Sequence, residues 1–587
     1  MLVFIDVENL DNSPKKKPWI LLAWLGLFGI LLPVFYPALF GPWLLDDSNG
    51  IVNNSEFRHF TIGNIINLFR GHRDVRAYDH HPVPGFTALL DYQWSGTDPF
   101  GYHISNLLFH WFTAGALLLL FLAIWKRISE QKGREWKPLE ALAIGSAIMA
   151  LWAVHPYSTM AIGYVTCRQE TIMVLFYILS LYALSRDWER ASLMLAITSF
   201  LSKEVAVTLP GALFLLDWAG GGRSILGTFK HRGRFYAVLT TVWLFICYWH
   251  WRGGRSAHVR YGDMPLAKSV EYFKAQCAVI ANYVGKFFWP ADLQFYPYIR
   301  PVASWTEWLP FLICILLYIG LAVYALRWSR WLAVTLIFPL LVLLPTSSFI
   351  PIPYEPAMEY RMYLPSVAWI ALIVIGIWQL VKPAWAKAAV YASIFLAFAT
   401  VSHIRSRDYT TAIRLFEQQI AVDPRSLTGL EALAGTYSEL GMPDSAEKTA
   451  WKLVDWGLEQ KSPDFAARGL NLLGVIAYDK RDHKTAKDLF QRAIDTSGSP
   501  PAKLNLATTL VLLYEIEPAE KLLLELLRDV PDNADALTMM YEAKMSRKQY
   551  PEAELYLNRL LSLYPERAES MEVQRNRLNK EKGEVKP

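Results

Sequence analysis

Long apolar runs fill the chain up to position 404, and beyond 405 they give way to short clusters at helical spacing. A run of about 20 apolar residues crosses a ~30 Å hydrocarbon layer as a helix, whereas apolar positions at i, i+3, i+4 and i+7 mark helices with one buried face. The pattern therefore predicts an all-α chain. A polytopic transmembrane helical domain occupies 1–404, tetratricopeptide-like (TPR) helical repeats forming an α-solenoid occupy 405–575, and 576–587 is a charged tail.

The runs can be counted. Lys15, Lys16 and Lys17 precede the first one, Pro18 to Phe40, which reads as an uncleaved signal anchor with a cytoplasmic N-terminus. Residues 41–103 hold no spanning run and form a large first external loop. Further spans are predicted at 104–125, 139–156, 168–185, 234–251, 307–326, 331–350, 362–381 and 385–404. The stretch 191–219 is broken by Lys203-Glu204, and each charge placed deep in lipid would cost roughly 2.5–3.5 kcal/mol, so it is expected to be two short helices meeting near the external face. The helix at 270–289, interrupted by Glu271, Lys274 and Lys286, is expected to lie in the interface. Basic turns such as Lys126, Arg127, Lys132, Arg134 and Lys137 then fall inside. The sum is about eleven crossings, with the repeats on the non-cytoplasmic side, as in the periplasm beyond a bacterial inner membrane.

The repeats show in a spacing of small residues. Ala412, Ala446, Ala486, Ala519 and Ala553 follow one another at 34, 40, 33 and 34 positions, and Pro424, Pro531 and Pro565 each come twelve after one of them. Leu473-Gly474 followed by Ala486, Phe490 and Ala493 supplies the small and large packing positions of a tetratricopeptide hairpin. Such solenoids commonly hold an extended peptide in their inner groove.

Composition sharpens this picture. Hydrophobic residues make up 53% of the chain and Trp numbers 23, a load suited to bilayer interfaces. The net charge of +5 is small, and the basic residues flank apolar runs, which gives no nucleic-acid stripe. Cys167, Cys247, Cys277 and Cys314 lack CxxC spacing and indicate neither a zinc site nor a disulfide framework.

Under this topology the unusual polar residues gather on the external face: Asp46 and Asp47 after the first span, His80, His81 and His103 in the first loop, then Arg168 with Glu170, Lys203 with Glu204, and Glu359 with Arg361. An adjacent carboxylate pair can supply a general base for a hydroxyl nucleophile, while Lys and Arg can hold a phosphate leaving group. No GxSxG elbow, Walker loop or HExxH motif is present. The adjacent His80-His81 lacks a spaced third ligand for a metal.

The acidic pair in Trp43-Leu44-Leu45-Asp46-Asp47, a long loop ending in Gly101-Tyr102-His103 with Asn106, Val165-Thr166-Cys167-Arg168-Gln169-Glu170, Leu201-Ser202-Lys203-Glu204 and Glu359-Tyr360-Arg361-Met362-Tyr363-Leu364-Pro365-Ser366 occur in that order before the repeats. This order resembles the GT-C superfamily of membrane glycosyltransferases, and within it the branch of transmembrane, TPR-containing O-mannosyltransferases. The resemblance extends over nearly the whole chain. It implies transfer of a sugar from a polyprenyl-phosphate-linked donor to an acceptor hydroxyl, with protein Ser or Thr as an acceptor held by the TPR groove. Asp46 or Asp47 would be the catalytic base, and Arg168, Lys203 and Arg361 would contact the carrier phosphate. His80, His81, His103, Glu170, Glu204 and Glu359 complete the implied substrate-binding set, with no metal and no cofactor beyond the donor substrate. The chain departs from the branch at His80-His81-Pro82, where an Arg-Pro pair is expected.

Two other readings stay open. One is an envelope polysaccharide or lipid glycosyltransferase, including an O-antigen ligase or polymerase. The other is a non-enzymatic, membrane-anchored TPR scaffold for envelope or pilus assembly.

Overall fold

The computed structural model describes residues 17–52, 55–70, 81–252, 266–300, 302, 304–352, 356–564, 567 and 571–584, so Lys15, Lys16 and His80 lie outside the described residues. Among those residues every regular element is a helix and there is no strand. The chain divides into two compact units, 1–418 and 419–587.

The first unit opens with α1 (Lys17–Phe35), and a 3-10 turn at Tyr36–Phe40 continues it. The first loop holds two helices of its own, α2 (Ile62–Arg70) and α3 (Pro82–Ser95). Next comes α4 (Pro99–Gln131), started by a proline at its first turn and by Asp98, whose carboxylate accepts from the Phe100 backbone N–H at 3.0 Å. It is followed by α5 (Pro138–Ala153), the short α6 (Ser158–Gly163) and α7 (Arg168–Ser185). The stretch expected as two short helices is α8 (Glu189–Phe200) and α9 (Leu209–Gly221), with Lys203 in the break between them. Then come α10 (Ile225–His231), α11 (Gly233–Arg252), α12 (Leu266–Phe288), α13 (Leu309–Ala325), α14 (Arg330–Leu343), α15 (Ser366–Leu380) and α16 (Ala384–Asp408).

Among the described residues four stretches are long and apolar enough to cross a membrane: Leu21–Phe40, α4, Val165–Ser185 and α16. A bent pair, Glu204–Gly221 with Ile225–His231, raises the number to five, and α5, α13, α14 and α15 are shorter apolar helices. These apolar helices fit a membrane protein. Hydropathy predicts eleven crossings over the same sequence, and part of the difference has a local cause. A 14-residue helix such as α14 rises only about 21 Å, and α5 and α13, at 16 and 17 residues, are also shorter than a full crossing.

A continuous core joins the helices of this unit, with Trp152, Tyr177, Tyr157 and Tyr363 among its fully buried side chains. Stacked indoles of Trp24 and Trp111, 3.8 Å apart, fasten α1 to α4. Helix α16 runs past the predicted boundary at 404 without a break, because Ser402, Arg405, Ser406 and Asp408 in its last turns are all buried.

From α17 (Ala412–Val422) onward the helices are short and antiparallel: α18 (Leu427–Glu439), α19 (Pro443–Glu459), α20 (Pro463–Asp479), α21 (His483–Ser497), α22 (Pro500–Leu512), α23 (Ile516–Asp529), α24 (Ala534–Ser546), α25 (Tyr550–Leu563) and α26 (Glu572–Glu584). The periodic alanines Ala446, Ala486, Ala519 and Ala553 fall on α19, α21, α23 and α25 and are fully buried. Gly474 shows why a small residue is needed. A Cβ there would stand 2.5 Å from the Phe490 ring, so the α20–α21 hairpin closes only around hydrogen. The segment expected as a charged tail from 576 is helical as far as Glu584, since Leu578 is buried in the repeat core.

Candidate active site

The acidic pair sits in a tight turn after α1, where Leu45 takes a positive φ of 42°. That turn separates the two carboxylates. Asp46 is exposed, while Asp47 is fully buried. Oδ2 of Asp47 accepts the Leu44 backbone N–H at 3.1 Å, and Oδ1 accepts both the backbone N–H of Thr166, at 2.8 Å, and its hydroxyl, at 2.5 Å. Burial pushes the Asp47 carboxyl up to about 7; the donors from Thr166 and Leu44 oppose this, and the neighbouring charge of Asp46 adds to it.

Helix α4 holds the Thr166 turn in place. Asn106 donates from its amide to the carbonyls of Tyr164 and Val165, each at 3.3 Å. His103, fully buried, has one ring nitrogen 2.9 Å from the Ile162 carbonyl and the other 3.3 Å from that of Gly41. It thus links the turn ahead of Asp46 to the turn ahead of Thr166. Tyr409 closes the same junction. A Cβ on Gly41 would lie 2.7 Å from the Tyr409 carbonyl oxygen, and one on Gly163 would lie 2.6 Å from its ring. Both turns approach this one residue too closely for any side chain larger than hydrogen.

The cations are committed to internal partners. Arg168 is fully buried, pairs with Asp91 at 2.6 Å, and donates further to the Tyr102 carbonyl and the Asn106 side-chain oxygen at 3.1 and 3.2 Å. The family resemblance makes it a candidate phosphate contact, and in this structure its guanidinium is bonded to Asp91, Tyr102 and Asn106. Lys203 pairs with Glu170 at 3.0 Å and stands 4.0 Å over the Tyr360 ring. Arg361 donates to the carbonyls of Thr346 and Pro356 at 3.2 and 3.0 Å. Glu359 accepts from Lys286 at 3.0 Å and from the Gln294 backbone N–H at 2.5 Å. His81 Nε2 lies 2.9 Å from Glu204 Oε2, and this Glu204 carboxylate stays partly open to solvent.

Sequence-distant motifs therefore meet. Lys203 joins Glu170 to the Glu359-Tyr360-Arg361 turn, and Glu204 joins the break after α8 to the start of α3 through His81. Helix α12 borders the group with a row of donors: Tyr272 to Thr346, Gln276 to Pro356 and Tyr283 to Met358, at 2.7, 2.8 and 3.0 Å. Asp91, Lys286 and Tyr409 are partners that sequence reasoning missed. A carboxylate inside the apolar stretch of α3 was the available signal for Asp91. Among the described residues no group of three or more His, Cys, Asp or Glu side chains is placed to hold a metal ion.

An exposed carboxylate stands beside a buried one, and the same unit holds several cations paired inside an apolar helix bundle. The chain is similar to protein O-mannosyl-transferases. It is 24% identical over 476 residues to protein O-mannosyl-transferase F38B6.6 of Caenorhabditis elegans, covering 76% of this chain and 64% of that protein. It is also 24% identical over 495 residues to protein O-mannosyl-transferase TMTC4 of Mus musculus, covering 71% of this chain and 64% of the relative. The chain thus spans about 64% of the length of these relatives. No family model matches it. Among solved structures, Pseudomonas aeruginosa pilF aligns with 44% of the chain and 96% of its own length at 17% identity and a TM-score of 0.25.

Proposed function

We propose that this chain is a membrane glycosyltransferase of the GT-C type that moves a sugar from a polyprenyl-phosphate-linked donor to a Ser or Thr hydroxyl of a protein, on the non-cytoplasmic face. The observation that carries the proposal is the division of labour between Asp46 and Asp47, set beside the similarity to protein O-mannosyl-transferases over three quarters of the chain.

Asp46 is the base. Its exposed carboxylate takes the proton of the acceptor hydroxyl as that oxygen bonds to the anomeric carbon. The bond from that carbon to the phosphate oxygen breaks, and polyprenyl phosphate leaves with the electron pair. Asp47 is a positioning residue, since both its oxygens are engaged by Leu44 and Thr166. Lys203, held between Glu170 and the Tyr360 ring, is the cation for the leaving phosphate. Arg168 with Asp91, and His103 with the two turns, keep the floor of the site in register. The helical repeats present the acceptor peptide.

The test is sugar transfer by the purified chain from a lipid-phosphate donor to a peptide. Asp46→Asn should lower kcat by about 10²–10⁴-fold with folding intact. Full turnover in that variant refutes the assignment.

A further inference from the structure

At the end of the bundle away from the acidic turn, α9 stops at Gly222, which takes a left-handed φ of 65°, and the chain swings through 102° into α10. Ser224 caps the new helix by accepting from the Gly227 N–H at 3.0 Å. Helix α10 therefore runs across the direction of α9.

Its two sides differ. Thr228 is buried, and Arg232, just past the helix end, is held by Asp187, by Glu189 at 2.5 Å and by Asp217 at 3.3 Å. On the other side Ile225 and Leu226 are 59% and 63% exposed, and Phe229 is 45% exposed although one face stacks on Phe214. Lys230, His231 and Arg234 beside them are exposed as well.

The location is fixed by bonds to neighbouring helix ends. Gln131, at the end of α4, donates to the carbonyls of Ala219 and Gly220, and Arg330, at the start of α14, donates to the Arg223 carbonyl at 2.6 Å. Along α4, His103 and Gln131 are separated by about 42 Å at 1.5 Å rise per residue, more than a hydrocarbon core. The site and α10 thus border opposite faces of the layer.

We infer that α10 is an in-plane membrane anchor that sinks Ile225, Leu226 and Phe229 into the cytoplasmic leaflet and gathers anionic phospholipid around Lys230 and Arg234. A short helix crossing the span direction, apolar on its outer side and basic at its end, fits the boundary between acyl chains and headgroups. The exposed positive charge of Lys230 and Arg234 matches phosphate-bearing lipid. Pairing of Arg232 with three carboxylates holds the anchor to the bundle.

Two measurements on the full chain in nanodiscs test this. With phosphatidylglycerol added to phosphatidylcholine, Tm should rise, and Lys230→Glu with Arg234→Glu should remove that rise while leaving Tm in phosphatidylcholine alone unchanged. A spin label on Leu226→Cys, in a chain with the four native cysteines replaced, should collide with molecular oxygen more than with a water-soluble nickel chelate, and one on Lys230→Cys should do the reverse. The inference is overturned if the label at 226 is as open to nickel as that at 230, if spin–spin broadening there reports a second copy of the chain, or if the double charge reversal keeps the dependence on phosphatidylglycerol. The charge-reversal arm uses the native cysteines and so decides the matter even where the cysteine-free chain fails to fold.

Discussion

Thr166 gives both its backbone N–H and its hydroxyl to one oxygen of Asp47, at 2.8 and 2.5 Å, across a sequence separation of 119 residues. The acidic turn after the first helix and the turn that starts α7 are therefore a single unit. Asp46 projects from it.

Removing the hydroxyl should separate aim from chemistry. Thr166→Val keeps the backbone donor but loses the stronger contact, and about 1 kcal/mol of stability is expected to go with it. Transfer should fall in kcat by roughly tenfold, less than in Asp46→Asn, because the base remains and only its support loosens. Thr166→Ser should recover most of the rate, and steady-state kinetics on the three variants would check the order.

Asp47 gives a pH dependence with a defined sign. Folding raises its carboxyl from 3.8 to about 7, so its protonation favours the folded chain fully below about 3.8, and that contribution is lost as pH rises through about 7. The interval corresponds to something on the order of 4 kcal/mol. Thermal unfolding from pH 4 to 8 should show Tm declining over this window, with a flatter profile in Asp47→Asn. An unchanged profile in that variant would mean that another group sets the slope.

Arg168 and Asp91 form a buried pair whose two halves are worth little alone. Arg168→Met leaves the Asp91 carboxylate buried without its cation, with Ser105 and Trp94 still donating to Oδ1, and should destabilise the bundle by roughly 3–5 kcal/mol. Adding Asp91→Leu to Arg168→Met should restore a large part of the loss. A double-mutant cycle read by tryptophan fluorescence would measure the coupling. If Arg168 instead served the donor phosphate, the double variant would recover Tm and also show a raised donor KM with kcat held.

The α20–α21 hairpin offers a test away from the site. Gly474→Val would drive a branched side chain into Phe490 and should cost about 1–3 kcal/mol, which Phe490→Ala in the same chain should partly relieve. Circular dichroism of the full chain on heating should resolve the earlier loss of the repeats.

The helices were largely readable from the pattern, and so was the break at Lys203, because a charge inside an apolar stretch has few places to go. The alanine spacing placed four of the small residues on which the repeat helices pack. What escaped was pairing. Arg168 and Arg361 look alike in sequence as phosphate grips, yet their donors reach Asp91 and two backbone carbonyls supplied by remote loops. Lys286 reads as an interfacial interruption of α12 until Glu359 is found 3.0 Å away. Burial likewise separates Asp46 from Asp47, two residues that sequence treats as equivalent. One positive φ at Leu45 turns one outward and the other in.

Tyr409 bears on where this chain can be cut. It lies beyond the last apolar run, on ground that hydropathy assigns to the repeats, yet both turns of the acidic site close upon it. A membrane fragment ending at 404 would lose this keystone, so inactivity of such a fragment would say nothing about whether the repeats take part in turnover. A fragment carried to Gln418 retains Tyr409 along with Gln418, whose side-chain oxygen accepts from Arg405 at 2.7 Å, and asks that question fairly.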